Sequence, residues 1–150
     1  MDPTARNRAM DLLARREHSA RELIQKLRDR GFSSDEIEAA LEGLQADGLQ
    51  SDERFAEAFV HSRVQKGMGP LKLRAELQAR GVDGGLARRA VAEADADWLA
   101  LAIDARVRRF GETAPADRKE RARQQRFLHG RGFPADVIAQ AIRESEGGDI

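Results

Sequence analysis

The residues of this chain whose types and spacing could do chemistry are its cations. Lys119, Arg123 and Arg126 recur at i, i+4 and i+7, which puts them on one face of a helix, roughly opposite Leu128. Arg63, Lys66, Lys72 and Arg74 flank a turn marked by Gly67 and Pro70, and Arg106, Arg108 and Arg109 crowd the end of a further helix. An arginine fork meets paired oxygens, and each phosphate it neutralises releases counterions, so such faces suit a nucleic-acid backbone. They suit an acidic protein groove equally well. For any single cluster the plain alternative is a solvated face. Aromatic residues are nearly missing from these basic segments, which argues against sequence-specific reading of single strands by stacking.

Other chemistries find little support. With no cysteine there is no disulfide, thiolate metal site or cysteine nucleophile, a composition that fits a reducing cytoplasm. The run KGMGP at 66–70 sets two glycines beside a lysine, but its proline and the lack of a preceding strand spoil a phosphate-loop reading. His18, His61 and His129 stand far apart without metal-ligand spacing. The carboxylates at 34–58 fall on helix caps and surface positions, where solvation is a far commoner fate than a paired acid–base role. Serines occur mostly at caps. The expectation is a protein that is not an enzyme and holds no cofactor and no metal.

The elements that position these cations follow from composition and from a repeat. Charged residues make up 35% of the 150 residues and aromatics 5%, so the core rests on Leu, Ile, Val and Ala. Helix formers dominate and no stretch alternates like a strand, so the fold class is all-α. Three segments, KLRDRGF, ELQARGV and FLHGRGF, align on Gly31, Gly81 and Gly132. Each has Leu four positions earlier (Leu27, Leu77, Leu128), Arg immediately before, and an apolar residue after (Phe32, Val82, Phe133). Glycine enters the left-handed region at a helix end without a Cβ penalty, and the next apolar residue folds back onto the earlier leucine. The arginine suits the helix C-terminal dipole. The triplet is therefore read as architecture, a helix stop that also aims the next helix.

A spacing near 50 residues accommodates three helices per unit. The expected helices are about 4–16, 19–30 and 34–46, then 52–66, 70–80 and 84–94, then 96–110, 117–130 and 135–145. Ser19–Glu22 and Ser33–Glu36 have capping-box spacing, and Asp117–Glu120 is a variant of it. The expected architecture is three tandem three-helix repeats, 1–50, 51–95 and 96–150, packed as an elongated array with a frayed tail at 145–150. GETAPAD at 111–117 reads as the flexible joint. Net charge is zero, yet it resolves into alternating blocks: +3 over 1–31, −7 over 34–58, +5 over 61–89, −3 over 90–100, +5 over 101–133 and −3 over 134–150. A partner meets this local field, not the sum. No apolar run is long enough for a membrane span or a signal segment, which leads to the expectation of a soluble, cytoplasmic protein with no membrane partner.

The motifs also carry a resemblance. LLARREHSARELIQKLRDRGF (12–32), DERFAEAFVHSRVQKGMGPLKLRAELQARGV (52–82) and RARQQRFLHGRGFPADVIAQAI (121–142) resemble, in order, the repeats of the regulatory protein RecX family. The most specific element is the run Arg54-Phe55-Ala56, Ser62-Arg63, Lys66-Gly67, Gly69-Pro70, Leu73, Leu77 and Arg80-Gly81. The resemblance implies a modulator, mainly an inhibitor, of the bacterial recombinase RecA. Such a modulator binds in the groove of the RecA–single-stranded-DNA filament and restrains strand exchange, ATP hydrolysis and the coprotease activity that triggers the SOS response. Family members also bind single-stranded DNA weakly. Under this reading the contacts to DNA or recombinase fall to Arg63, Lys66, Lys72, Arg74, Arg106, Arg109, Lys119, Arg123 and Arg126, and a repeat array is most simply a monomer. Two departures stand out. Gln50-Ser51 precedes Asp52 where relatives often carry an acidic pair, a change expected to alter only a cap. Gly84-Gly85 opens a helix, where each interior glycine would cost about 1 kcal/mol. Two rival readings are an autonomous DNA-binding module and a helical scaffold indifferent to DNA.

Overall fold

The structure, a computed structural model, describes residues 3–147, and among them it contains nine helices and no strand. They are α1 (Ala5–Arg15), α2 (Ala20–Asp29), α3 (Ser34–Ala46), α4 (Asp52–Val64), α5 (Pro70–Ala79), α6 (Gly84–Glu93), α7 (Trp98–Phe110), α8 (Arg118–Gly130) and α9 (Ala135–Ser145). All-α is therefore the fold, and the helix limits fall within two residues of the expected ones. The reason lies in local chemistry at the ends. Ser19 and Ser33 each accept from the backbone of Glu22 and Glu36, whose carboxylates reach back to the capping residue, so both capping boxes close. Thr4, Asp97 and Asp117 cap α1, α7 and α8 in the same way from one side.

The three glycine stops share one geometry. Gly31, Gly81 and Gly132 sit at φ 90°, 90° and 97°. In each, the glycine N–H donates to the carbonyl three residues back and the following apolar residue donates to the leucine carbonyl, Phe32 to Leu27, Val82 to Leu77 and Phe133 to Leu128. These are the paired bonds of a Schellman stop, which satisfy carbonyls the helix leaves open.

Two compact units form, Met1–Phe59 with Leu77–Ala90, and Val60–Glu76 with Val91–Ile150, so α4 and α5 each give residues to both. In the first, α1, α2 and α3 pack mutually around Ala9, Leu12, Leu23, Leu27, Ile37 and Leu44. In the second, α7, α8 and α9 pack around Ala102, Leu128, Phe133, Ile138, Ala141 and Ile142. Small residues at helix contacts let the backbones approach, which is how a chain so poor in aromatics closes its cores.

Gly84 and Gly85 open α6, as expected, and the Asp83 carboxylate accepts from the N–H of Gly85 (3.0 Å) and Leu86 (3.3 Å). The cap offsets part of the glycine cost. Gln50 does more than vary a cap. It is buried, donates to the His18 carbonyl (3.2 Å) and to Asp52 (3.0 Å), and accepts from Gln45 (2.9 Å). Of the tail 145–150, residues 148–150 lie outside the described residues, while Ser145 closes α9 and the Glu146 carboxylate accepts from Arg121.

Candidate partner and nucleic-acid interface

All nine cations assigned as contacts from the sequence belong to the second compact unit. Lys119, Arg123 and Arg126 are exposed along α8, and Leu128 on the opposite side is fully buried, as the helical spacing requires. Arg109, at the end of α7, is exposed as well. Its guanidinium lies 5.6 Å from the ring of Phe110 and 5.9 Å from that of Phe127, while Arg123 lies 5.1 Å from Phe110. The two rings meet edge to face at 5.3 Å. A half-buried Phe110–Phe127 pair thus holds two arginine planes by cation–π attraction, and Arg123 also pairs with Glu120 at 3.2 Å. A stacked guanidinium still presents its N–H edge outward, so it meets a phosphate or carboxylate with little rotamer freedom left to lose.

This arrangement revises the sequence reading. Phe110 and Phe127 are among the few aromatics of the basic segments, each directly after an arginine (Arg109, Arg126), and the packing of α7 on α8 brings the two rings together. Their spacing in sequence carries no signal of the pairing.

Arg106 is the second revision. It is only 2% exposed and does not belong to an open face. Its guanidinium donates to Gln124 Oε1 (3.2 Å) and to the carbonyls of Thr113 (3.3 Å) and Glu112 (3.3 Å). Burial lowers its pKa from the usual arginine value, yet an arginine remains charged. The residue is a tie between α7, α8 and the connection at 111–117. That connection is irregular, as its composition implies, but Arg106 fastens it at two carbonyls.

The remaining four cations surround the α4–α5 turn. Lys66 is exposed and Arg63, Lys72 and Arg74 are half-buried. The turn itself is held by a residue the sequence reading assigned only to a helix dipole. Arg131 donates from Nη2 to the Lys66 carbonyl at 2.7 Å and lies 5.8 Å from the Phe127 ring. Gly69 N–H donates to the Arg131 carbonyl (2.7 Å) and Leu71 N–H to that of Gly132 (2.9 Å). The Arg-Gly stop of α8 therefore positions Lys66 and Lys72 as well as ending a helix. The signal for this was present in the recurrence of arginine before each glycine, but its partner is not visible in sequence.

Family models describe the same order of segments. The model for RecX, first three-helix domain, matches residues 5–44, the second 51–91 and the third 95–142. The chain belongs to the RecX family. It is 46% identical to the regulatory protein RecX of Halorhodospira halophila, over 96% of this chain and 89% of that relative. It is 44% identical to the RecX of Pseudomonas syringae pv. tomato, over 96% and 92%. The crystal structure of RecX from Lactobacillus salivarius has the same fold, with a TM-score of 0.80 at 22% identity over 95% of this chain and 94% of that one. A RecX is by its family's description a regulatory protein. No helix among the described residues is long and apolar enough to cross a membrane.

Proposed function

We propose that this RecX regulates the recombinase RecA, mainly as an inhibitor, by binding in the groove of the RecA–single-stranded-DNA filament. There it would restrain strand exchange, ATP hydrolysis and SOS coprotease activity, acting as a cytoplasmic monomer with weak direct affinity for single-stranded DNA. The observation that carries the reading, beyond family membership, is the cluster of exposed cations in one unit, with Arg109 and Arg123 stacked on Phe110 and Phe127. Arg109, Lys119, Arg123 and Arg126 are the proposed contacts on α7 and α8. Arg63, Lys66, Lys72 and Arg74 are the proposed contacts around the α4–α5 turn. Arg106 is left out of the set because it is buried. Several modest contacts on one chain add through linkage, so affinity for the filament exceeds that of any single patch.

The test compares binding to recombinase-coated and bare single-stranded DNA at matched physiological salt. The expected result is much tighter binding to the coated strand. Lys119, Arg123 and Arg126 together changed to Glu should weaken that binding by about tenfold or more, with a shallower salt dependence and unchanged helix content. Equal or tighter binding to bare DNA would instead make the chain an autonomous DNA-binding module. Inhibition that survives the triple change would remove α8 from the interface.

A further inference from the structure

Two of the three Arg-Gly stops receive the start of another helix. At Arg80-Gly81 the occupant is the start of α2: Ser19 Oγ donates to the Arg80 carbonyl at 2.7 Å. Ala20 N–H donates to Asp52 at the start of α4 (2.8 Å), and Arg80 Nε faces Glu22 at 3.7 Å. The approach is so close that a Cβ on Gly81 would stand 2.5 Å from that of Arg21. At Arg131-Gly132 the occupant is the start of α5, joined through the N–H groups of Gly69 and Leu71. A Cβ on Gly69 would stand 2.5 Å from the Gly132 carbonyl carbon, and one on Gly132 would stand 2.4 Å from Lys72 Cβ. Each occupant supplies a donor to the arginine carbonyl, Ser19 Oγ at one stop and the Gly69 N–H at the other, and packs the stem of a long side chain, Arg21 or Lys72, where the glycine leaves room.

The stop at Arg30-Gly31 has the same backbone and the same internal hydrogen bonds, yet among the described residues nothing lies within 4 Å of a Cβ placed on Gly31. A cavity of about 580 Å³ opens there, lined by the start of α1 (Pro3, Thr4, Arg8), the stop (Arg30, Gly31, Phe32) and Glu36 of α3. The α2 start occupies the corresponding position in the next repeat, between Asp52 and Arg80. The Nε of Arg8, which lines the cavity, is buried and lacks a hydrogen-bond partner.

We infer that the Arg30-Gly31-Phe32 notch is a docking site for the N-terminus of a helix from a partner protein. That helix carries Ser or Thr at its N-cap, a small residue next, and Glu at its third position. The hydroxyl donates to the Arg30 carbonyl as Ser19 does to Arg80, and the glutamate pairs with Arg30 or Arg8 as Glu22 pairs with Arg80. A second copy of this chain is a poorer occupant. Its α8 starts with Asp117, whose carboxylate has no proton to donate, and continues with Arg118 and Lys119 against the cations of the notch. Its α3 start, Ser33-Ser34-Asp35-Glu36, has the required cap, but Glu36 lines the notch, so two copies docked reciprocally by α3 would bring like charges together.

The probe is a synthetic peptide of residues 17–30 of this chain with Gln25→Lys, held helical by a lactam bridge between that lysine and Asp29. The readout is the amide spectrum of the ¹⁵N-labelled full chain. Saturable shifts at Thr4–Arg8 and Arg30–Phe32 are expected, about tenfold weaker for a peptide with Ser19→Asp. Absence of shifts at millimolar peptide would overturn the proposal, as would equal binding of both peptides. Shifts centred on Arg80–Val82 would also overturn it, since the peptide would then be displacing α2. Equal shifts from inorganic phosphate would make the notch an anion site, and concentration-dependent self-association relieved by Gly31→Ala would make the occupant a second copy.

Discussion

Arg106 and His18 show how far a side chain's role departs from its type. Arg106 stands two residues from exposed Arg108, yet it is enclosed and bonded at three oxygens. Removing it strips two backbone carbonyls and Gln124 of their donor in a dry setting, where an unsatisfied polar group is costly. Arg106→Ala should therefore cost about 3 kcal/mol in urea unfolding, whereas Arg109→Ala, which loses an exposed stacking contact, should cost about 1 kcal/mol or less. His18 is a buried histidine without metal spacing. Its Nδ1 lies 3.0 Å from the Arg16 carbonyl and its Nε2 3.0 Å from Lys26 Nζ, so the ring is neutral, donating at one nitrogen and accepting at the other. Burial lowers its pKa below the ordinary 6.5; the hydrogen bond to the Arg16 carbonyl opposes this, repulsion from Arg16 and Lys26 adds to it, and Glu22 opposes it slightly. The unfolded chain thus binds this proton more readily than the folded one. The His18 contribution to stability is whole above pH 6.5 and declines as pH falls below it, levelling once the folded-state ring itself protonates. Urea midpoints at pH 7.5 and 5.5 should differ more for the native chain than for His18→Gln.

At the scale of elements, the three helix stops are identical in local bonding and different in surroundings. Among the described residues a Cβ on Gly31 would meet open space, one on Gly81 would meet the stem of Arg21, and one on Gly132 would stand 2.7 Å from the Lys72 backbone nitrogen and 2.4 Å from its Cβ. Alanine at any of them must adopt a positive φ, which costs about 1 kcal/mol. At Gly81 the α2 backbone carrying the Arg21 Cβ must also shift, and at Gly132 the α5 backbone must, with the Lys72 backbone nitrogen as well as its Cβ in the way. Gly31→Ala should thus be the mildest of the three and Gly132→Ala the most damaging, with a loss of about 3 kcal/mol or more by thermal or chemical unfolding. Equal losses at all three would mean that left-handed backbone strain alone explains the repeated glycine. The recurrence of glycine was legible in the sequence, and so was its role in stopping helices. Its second role, leaving space for a helix start from elsewhere in the chain, was not, because Ser19 and Arg80 are 61 residues apart and no local pattern couples them.

For the molecule as a whole, zero net charge conceals a division of labour. The nine cations selected from the sequence gather in one compact unit, although they come from α4, α5, α7, α8 and the turn between the first two. The sequence by itself determined the helices, their caps and stops and the threefold recurrence, because helix ends are governed by hydrogen bonds among residues at most five or six apart. It also determined which face of α8 is cationic, since helical geometry turns spacing directly into direction. Only the tertiary structure decided which cations are available. It buried Arg106, set Arg109 and Arg123 on two phenylalanines from different helices, turned Arg131 onto the Lys66 carbonyl, and, among the described residues, left one of three equivalent notches open. Each of those outcomes depends on which surfaces meet across distant parts of the chain, and burial and long-range pairing are properties of that meeting, not of any residue's neighbours in sequence.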